Sequence, residues 1–144
     1  MNSKVEHIFY VDDDADDHLI FSLAIRDIFP DVILHSYYRC DDLIANLKVG
    51  HLLLPDFIFL DQNMIGNSRN QCLREIKEIP RAKNIPVIIY TTGSMPDLVD
   101  DALSAGAVKY VIKTTGYLET KRNLQAIITE WKENMNSNRE SDPH

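Results

Sequence analysis

Pro55-Asp56-Phe57-Ile58-Phe59-Leu60-Asp61 is an apolar run that ends on a carboxylate. A short apolar run bounded in this way fits a strand buried on both faces, as strands of parallel sheets are. The same grammar occurs near the N terminus, where Ile8-Phe9-Tyr10-Val11 leads into Asp12-Asp13-Asp14. In an open parallel sheet, ligands bind beyond the carboxyl ends of the strands near a topological switch point. Two acidic strand ends can therefore converge on one pocket. Crowded carboxylates raise one another's pKa unless a cation neutralises them, and their oxygens suit Mg²⁺ or a similar hard ion. The pattern points to a Mg²⁺-assisted phosphoryl site.

Working outward, the chain alternates between strand and helix periodicities. A strand over His7 to Val11 precedes a helix that Asp14 or Asp16 can cap, with Leu19, Ile20, Leu23, Ala24 and Ile28 as its apolar stripe and Phe29-Pro30 as its stop. Val32 to Tyr38 reads as the second strand. Asp41 can cap a short helix with Leu43, Ile44 and Leu47 inward, ending near Gly50, before the Asp61 strand. After a loop with Gly66 and Asn67, the residues Cys72, Leu73, Ile76 and Ile79 mark a third helix stopped by Pro80. Pro86-Val87-Ile88-Ile89-Tyr90 is almost wholly apolar and is expected to be the central, buried strand. Ser94 with Asp97 is a variant capping box for a fourth helix lined by Leu98, Val99, Ala102 and Leu103 and ended by Gly106. Val108 to Ile112 supplies the fifth strand, and Leu124, Ile127, Ile128 and Trp131 repeat at helical spacing in the last helix. Residues 134–144 are polar and contain Pro143, so a frayed or disordered tail is expected after a domain spanning 5–133.

The 144 residues suit one domain. Fifteen basic against 22 acidic side chains give a net charge of −7, which opposes a polyanion, so no nucleic-acid partner is expected. Cys40 and Cys72 are too few and too far apart in sequence for a disulfide framework or a CxxC site, so reduced thiols in a cytoplasmic protein are expected. The N terminus lacks the apolar core of a signal peptide, and no apolar stretch approaches the roughly 20 residues of a membrane span. A soluble, unexported protein with no membrane partner follows as the expectation. His7, His18, His35, His51 and His144 show no metal spacing and are read as structural.

Five strands alternating with five helices indicate an α/β three-layer, doubly wound parallel sheet, a flavodoxin-like (βα)5 fold with strand order 2-1-3-4-5. In that order the switch point lies between the first and third strands, so the tips carrying Asp12, Asp13 and Asp61 become neighbours. The next strand ends in Thr91 and the last leads into Lys113, adding a hydroxyl and an ammonium to the rim. A carboxylate can attack phosphorus directly when the incoming charge is screened. Phosphoryl transfer otherwise needs positioning and electrostatic stabilisation, which a cation, an ammonium and a hydroxyl supply. Asp14, Asp16 and Asp17 are read instead as capping or first-turn helix carboxylates.

With Val11-Asp12-Asp13, Leu60-Asp61-Gln62-Asn63-Met64, Pro86 to Thr91, Gly106-Ala107 and Tyr110-Val111-Ile112-Lys113 in this order, the chain resembles the response regulator receiver domains of two-component systems. The resemblance implies that Asp61 accepts a phosphoryl group from a histidine kinase or histidine phosphotransfer protein. It further implies that Asp12, Asp13, Asp61 and the backbone carbonyl of Asn63 bind Mg²⁺, that Thr91 and Lys113 contact the phosphoryl oxygens, and that Thr91 and Tyr110 rearrange on activation. A single-domain, chemotaxis-regulator-like receiver would signal to a protein effector through the surface of the fourth helix, fifth strand and fifth helix.

Ile65, Ser68-Arg69 and Thr114 depart from the family's usual proline, Asp/Asn-Gly and proline, and Thr92 is bulkier than the usual small residue. A cis bond before threonine costs about 3–4 kcal/mol, so a trans peptide and a displaced loop are expected after Lys113. Two other readings stay open, the first motivated by these departures and the second by the Asp12-x-Asp14 spacing. One is a receiver-like interaction module that does not use phosphorylation. The other is a small Mg²⁺ phosphohydrolase similar to haloacid-dehalogenase-like enzymes, with Asp12 as nucleophile and Asp14 as acid/base, although Asp100-Asp101 is then a poor distal acidic pair.

Overall fold

The computed structural model describes residues 5–49, 53–64, 68, 70–93 and 95–141. Their order is β1 (His7–Val11), α1 (Ala15–Ile28), β2 (Ile33–Tyr37), α2 (Cys40–Val49), β3 (Phe57–Leu60), α3 (Gln71–Glu78), β4 (Val87–Thr91), α4 (Pro96–Ser104), β5 (Lys109–Ile112) and α5 (Tyr117–Ser141). All the strand pairs are parallel and the sheet runs β2-β1-β3-β4-β5, the flavodoxin-like order expected.

Alternation along each strand divides the apolar residues between two layers. Phe57 and Phe59 join Ile8, Tyr10, Ile88 and Tyr90 in a core covered by Phe21 and Ile25 of α1 and Leu124 and Ile128 of α5. Ile58 and Leu60 face the other way, with Val11 and Ile89, onto Leu43 and Leu47 of α2 and Leu73 and Ile76 of α3. Each of the five β4 residues is buried, as a central strand requires.

The backbone ladder runs past the strand ends and so fixes the tips beside one another. Asp12 N donates to Tyr37 O at 3.0 Å, Asp61 N to Val11 O at 3.0 Å, and Lys113 N to Thr91 O at 2.7 Å. With Val11 opposite Leu60 in the register, Asp12 and Asp61 leave the sheet side by side.

Several expectations need correction. The buried face of α1 is His18, Phe21, Ala24 and Ile25, whereas Leu19 and Leu23 are 59% and 48% exposed. Apolar residues occur at both phases of this helix, so periodicity alone does not choose. The Asp14 carboxylate caps the helix by accepting from Asp17 N, and His18 on the buried face donates from Nε2 to the Asp12 carbonyl. In α2 the helix begins at Cys40, which moves Asp41 from the cap into the first turn. In α4, Met95 occupies the cap with Pro96 at the first helical positions, Leu103 is exposed, and Ser94 lies outside the described residues. Gly106, at φ +115°, closes α4 in a conformation that favours glycine.

The cysteines are bonded rather than reduced. Cys40 opens α2 and Cys72 lies in the first turn of α3, and the two helices sit side by side with Cα atoms 5.8 Å apart. Their sequence separation of 32 concealed a spatial contact. The polar tail also departs from expectation, because α5 continues to Ser141. No Gly or Pro interrupts the sequence from Tyr117 until Pro143, so nothing in it forces an earlier stop. No helix among the described residues is long and apolar enough to cross a membrane.

Candidate functional site

Asp61 follows β3 directly and is 7% exposed. Its Oδ1 accepts from the Thr91 hydroxyl at 2.8 Å and from Asn63 N at 3.0 Å, and its Oδ2 lies 3.3 Å from Lys113 Nζ. Thr91 is fully buried, and its Oγ1 also accepts from Asn63 Nδ2 at 3.1 Å, so the hydroxyl's proton is aimed at Asp61. Backbone and side chain of Asn63 thus brace the Asp61–Thr91 pair from one direction.

Asp12 lies on the other side of the pocket, fully buried. Its Oδ2 accepts from Tyr10 OH at 2.5 Å and Lys113 Nζ at 2.6 Å, and its Oδ1 accepts from Asp14 N at 3.0 Å. Burial pushes its pKa up, and the hydrogen bonds from Lys113, Tyr10 and Asp14 N oppose that rise. Burial also pushes the Tyr10 phenol up, aided by the Asp12 charge, so the phenol stays protonated and donates.

Lys113 closes the cluster. Its ammonium reaches Asp17 at 2.8 Å as well as Asp12 and Asp61, and its side chain is only 8% exposed. Burial would lower its pKa, but hydrogen bonds to Asp12 and Asp17 and the charges of Asp12 and Asp61 outweigh burial and hold it above its usual value. The peptide after Lys113 is trans, and no cis bond occurs among the described residues. The displacement expected of this loop does not keep the ammonium from the carboxylates.

Asp12, Asp13 and Asp61 each offer an oxygen within 4.8 Å of the others, with Asp13 exposed at the rim. Three carboxylates, Asp12, Asp17 and Asp61, share the Lys113 ammonium and Asp13 adds a fourth beside Asp12 and Asp61, and such an excess of like charge favours a divalent cation. The donor set is all oxygen and open to solvent on one side, which fits a hard cation that keeps some of its water.

The structure therefore brings together Asp12, Asp13, Asp61, Asn63, Thr91 and Lys113. Tyr110 sits apart from the carboxylates. Its hydroxyl donates toward Gln62 Oε1 at 3.0 Å and contacts the Gly93 carbonyl. Ile65, Gly66, Asn67 and Arg69 lie outside the described residues, and Thr92 is exposed.

Four contributors escaped the sequence reading. Asp17 is not only a first-turn carboxylate, since it shares Lys113; its place one turn from the cap was the available signal. Tyr10 reads as core from its neighbours, yet its hydroxyl meets Asp12. His18 donates from Nε2 to the Asp12 carbonyl at 2.7 Å, between the rings of Tyr10 and Tyr38. Gln62 is an amide next to Asp61 at the tip of a buried strand and is itself buried, a location where polar groups need partners.

A family profile for the response regulator receiver domain matches residues 8–128. The chain is similar to the chemotaxis protein CheY of Pseudomonas aeruginosa, at 29% identity over 113 residues covering 78% of this chain and 91% of that protein. It is also similar to the two-component response regulator ARR3 of Arabidopsis thaliana, at 26% identity covering 90% of this chain and 58% of ARR3. Among solved structures, the phosphorylated cyanobacterial phytochrome response regulator RcpA superposes with a TM-score of 0.77 at 22% identity, covering 85% of this chain and 91% of that one. The Mn²⁺-bound form of response regulator Rcp1 gives 0.76 at 24% identity, covering 89% and 95%. These last two establish likeness of fold. By its profile match and its relatives, this chain belongs to the response regulator receiver domain family of two-component systems.

Proposed function

We propose that the chain acts as a phosphorylation-controlled receiver, accepting a phosphoryl group on Asp61 from a histidine kinase or histidine phosphotransfer protein. The observation that carries this reading is Asp61 itself: a buried carboxylate at a strand tip, held by a buried hydroxyl and facing a buried ammonium. Asp12, Asp13, Asp61 and the Asn63 carbonyl would hold Mg²⁺, a role in keeping with the divalent ion of the Rcp1 structure. When bound, Mg²⁺ supplies positive charge opposite the oxygens of the transferring group.

This chain's own residues do the rest. Asp61 presents the attacking oxygen, and the phosphorus–nitrogen bond to the donor imidazole breaks as the bond to Asp61 forms. Lys113 offsets charge on the phosphoryl oxygens, and the Thr91 hydroxyl turns from Asp61 to one of them. Movement of Thr91 and Tyr110 then changes the surface formed by α4, β5 and α5, where the effector docks.

The hydrolase alternative is disfavoured by the Asp14 carboxylate, which is engaged in capping α1 rather than facing the pocket. The test is incubation with a small phosphodonor, with and without Mg²⁺, followed by phosphate-affinity electrophoresis. The receiver reading expects a Mg²⁺-dependent retarded band that Asp61→Asn abolishes. No band in either condition supports an interaction module that does not use phosphorylation.

A further inference from the structure

Gln62 occupies the residue after Asp61, is 6% exposed, and has every polar atom of its side chain engaged. Its Nε2 donates to Asn70 Oδ1 at 3.0 Å and to the Leu98 carbonyl at 3.2 Å. A carbonyl can only accept, so the amide orientation is determined: the nitrogen faces Leu98 and Oε1 faces the Tyr110 hydroxyl, 3.0 Å away. The same logic orients Asn70, whose buried Nδ2 has no hydrogen-bond partner among the described residues. Asn70 adopts φ 63° just before α3, so one end of the network is anchored in a left-handed backbone position.

The other end is contested. A phenol has one proton, yet the Tyr110 hydroxyl lies against two acceptors, Gln62 Oε1 and the Gly93 carbonyl. Both acceptors belong to segments that the phosphoacceptor site controls. Gln62 is covalently next to Asp61, and Gly93 is two residues from Thr91, the hydroxyl on Asp61. Leu98 belongs to the first turns of α4, so the same amide grips the helix of the signalling surface.

We infer that Gln62 is a positioning residue that holds the Tyr110 hydroxyl inside and ties it to α4, setting the resting position of the switch. The inference rests on the receiver reading for its purpose, but the link itself is a property of the protein without phosphate. Removing the amide leaves Tyr110 with only the Gly93 carbonyl of the two and lets the ring move outward. Keeping an oxygen at the end of the side chain preserves the grip on the phenol while releasing Leu98.

Nitration of the intact protein by tetranitromethane, read by mass spectrometry at each tyrosine, tests this without any phosphodonor. In Gln62→Met the modification rate at Tyr110 should rise roughly fivefold, the worth of one net hydrogen bond, while buried Tyr10 and Tyr90 stay unreactive. Gln62→Glu, which keeps the acceptor oxygen, should return Tyr110 to within about twofold of wild type. A merely structural loss would raise Tyr10 and Tyr90 together with Tyr110 and is not rescued by the glutamate; either that result or an unchanged Tyr110 in Gln62→Met overturns the inference. Should Gln62→Met not fold, the comparison of Gln62→Glu with wild type decides, and a Tyr110 rate raised as far as fivefold there overturns it. Failure of Asp61 to take phosphate is a separate outcome that sinks the receiver reading and leaves this measurement standing.

Discussion

Replacing Lys113 by Met should destabilise the metal-free protein by about 3 kcal/mol at neutral pH, because breaking a buried charge pair by removing one partner costs about 3–5 kcal/mol. The structure says which partners matter. Asp12 is 0% and Asp61 9% exposed at the side chain, so both carboxylates lose their buried counter-charge, whereas Asp17 at 34% is largely served by solvent and is discounted. For a chain of this size a urea dependence near 2 kcal/mol per molar translates the loss into a midpoint shift of about 1.5 M. The lysine's folded pKa is raised, so its stabilisation is complete below the ordinary value near 10.4 and fades as pH climbs through the folded value. Neutral pH therefore shows the whole effect. Asp12 acts in the same direction at lower pH: its raised pKa means the native state binds the extra proton, so stability falls as pH rises from about 4 through the folded value. Without Lys113 that window widens, and the loss at pH 5 should be smaller than at pH 7.5. Urea unfolding in a chelator at both pH values, repeated with Mg²⁺, is the assay. The cation should recover more stability in Lys113→Met than in wild type, because it meets an uncompensated cluster. A midpoint shift below about 0.3 M in the chelator, comparable to the extrapolation error, refutes the charge argument.

Thr91→Val should slow acceptance from a small phosphodonor by about tenfold or more, the cost of one preorganised donor, since the Thr91 hydroxyl is the neutral group on Asp61; time courses on phosphate-affinity gels would show it, and an unchanged rate contradicts the assignment. Reducing Cys40–Cys72, which closes a loop with a sequence separation of 32, should cost about 3–4 kcal/mol and lower Tm by about 10 °C in calorimetry with and without reductant. Two titratable thiols in the unreduced, denatured protein would contradict the bond. Phe59→Ala, at a fully buried ring between α1 and α5, should cost about 3–5 kcal/mol in urea unfolding, and a loss under 1 kcal/mol would say that this layer is not the core described.

The site was legible wherever chemistry coincided with a strand end. Asp12, Asp61, Thr91 and Lys113 follow or close apolar runs, and the order of a right-handed βα sheet then puts them together without knowledge of any side-chain rotamer. Helix phase was less legible. In α1 both Leu19-Leu23 and Phe21-Ile25 are apolar, and the second set lies inward on the same face as His18, whose ring bonds the Asp12 carbonyl. Contacts between side chains distant in sequence were the least legible. Nothing local tells that Cys40 meets Cys72, that Tyr10 reaches Asp12 from within the core, or that Gln62 spans α3, α4 and β5. Those depend on how helices pack across the sheet, where a shift of one residue changes the partner.

The central claim, that Asp61 is the phosphoacceptor, is tested most directly by locating the acyl phosphate. After incubation with a small phosphodonor and Mg²⁺, tandem mass spectrometry of the digested protein should place a single phosphoryl group on Asp61, absent in a chelator. A phosphoryl group on Asp12, or a modified protein whose label persists in Asp61→Asn, would contradict the account.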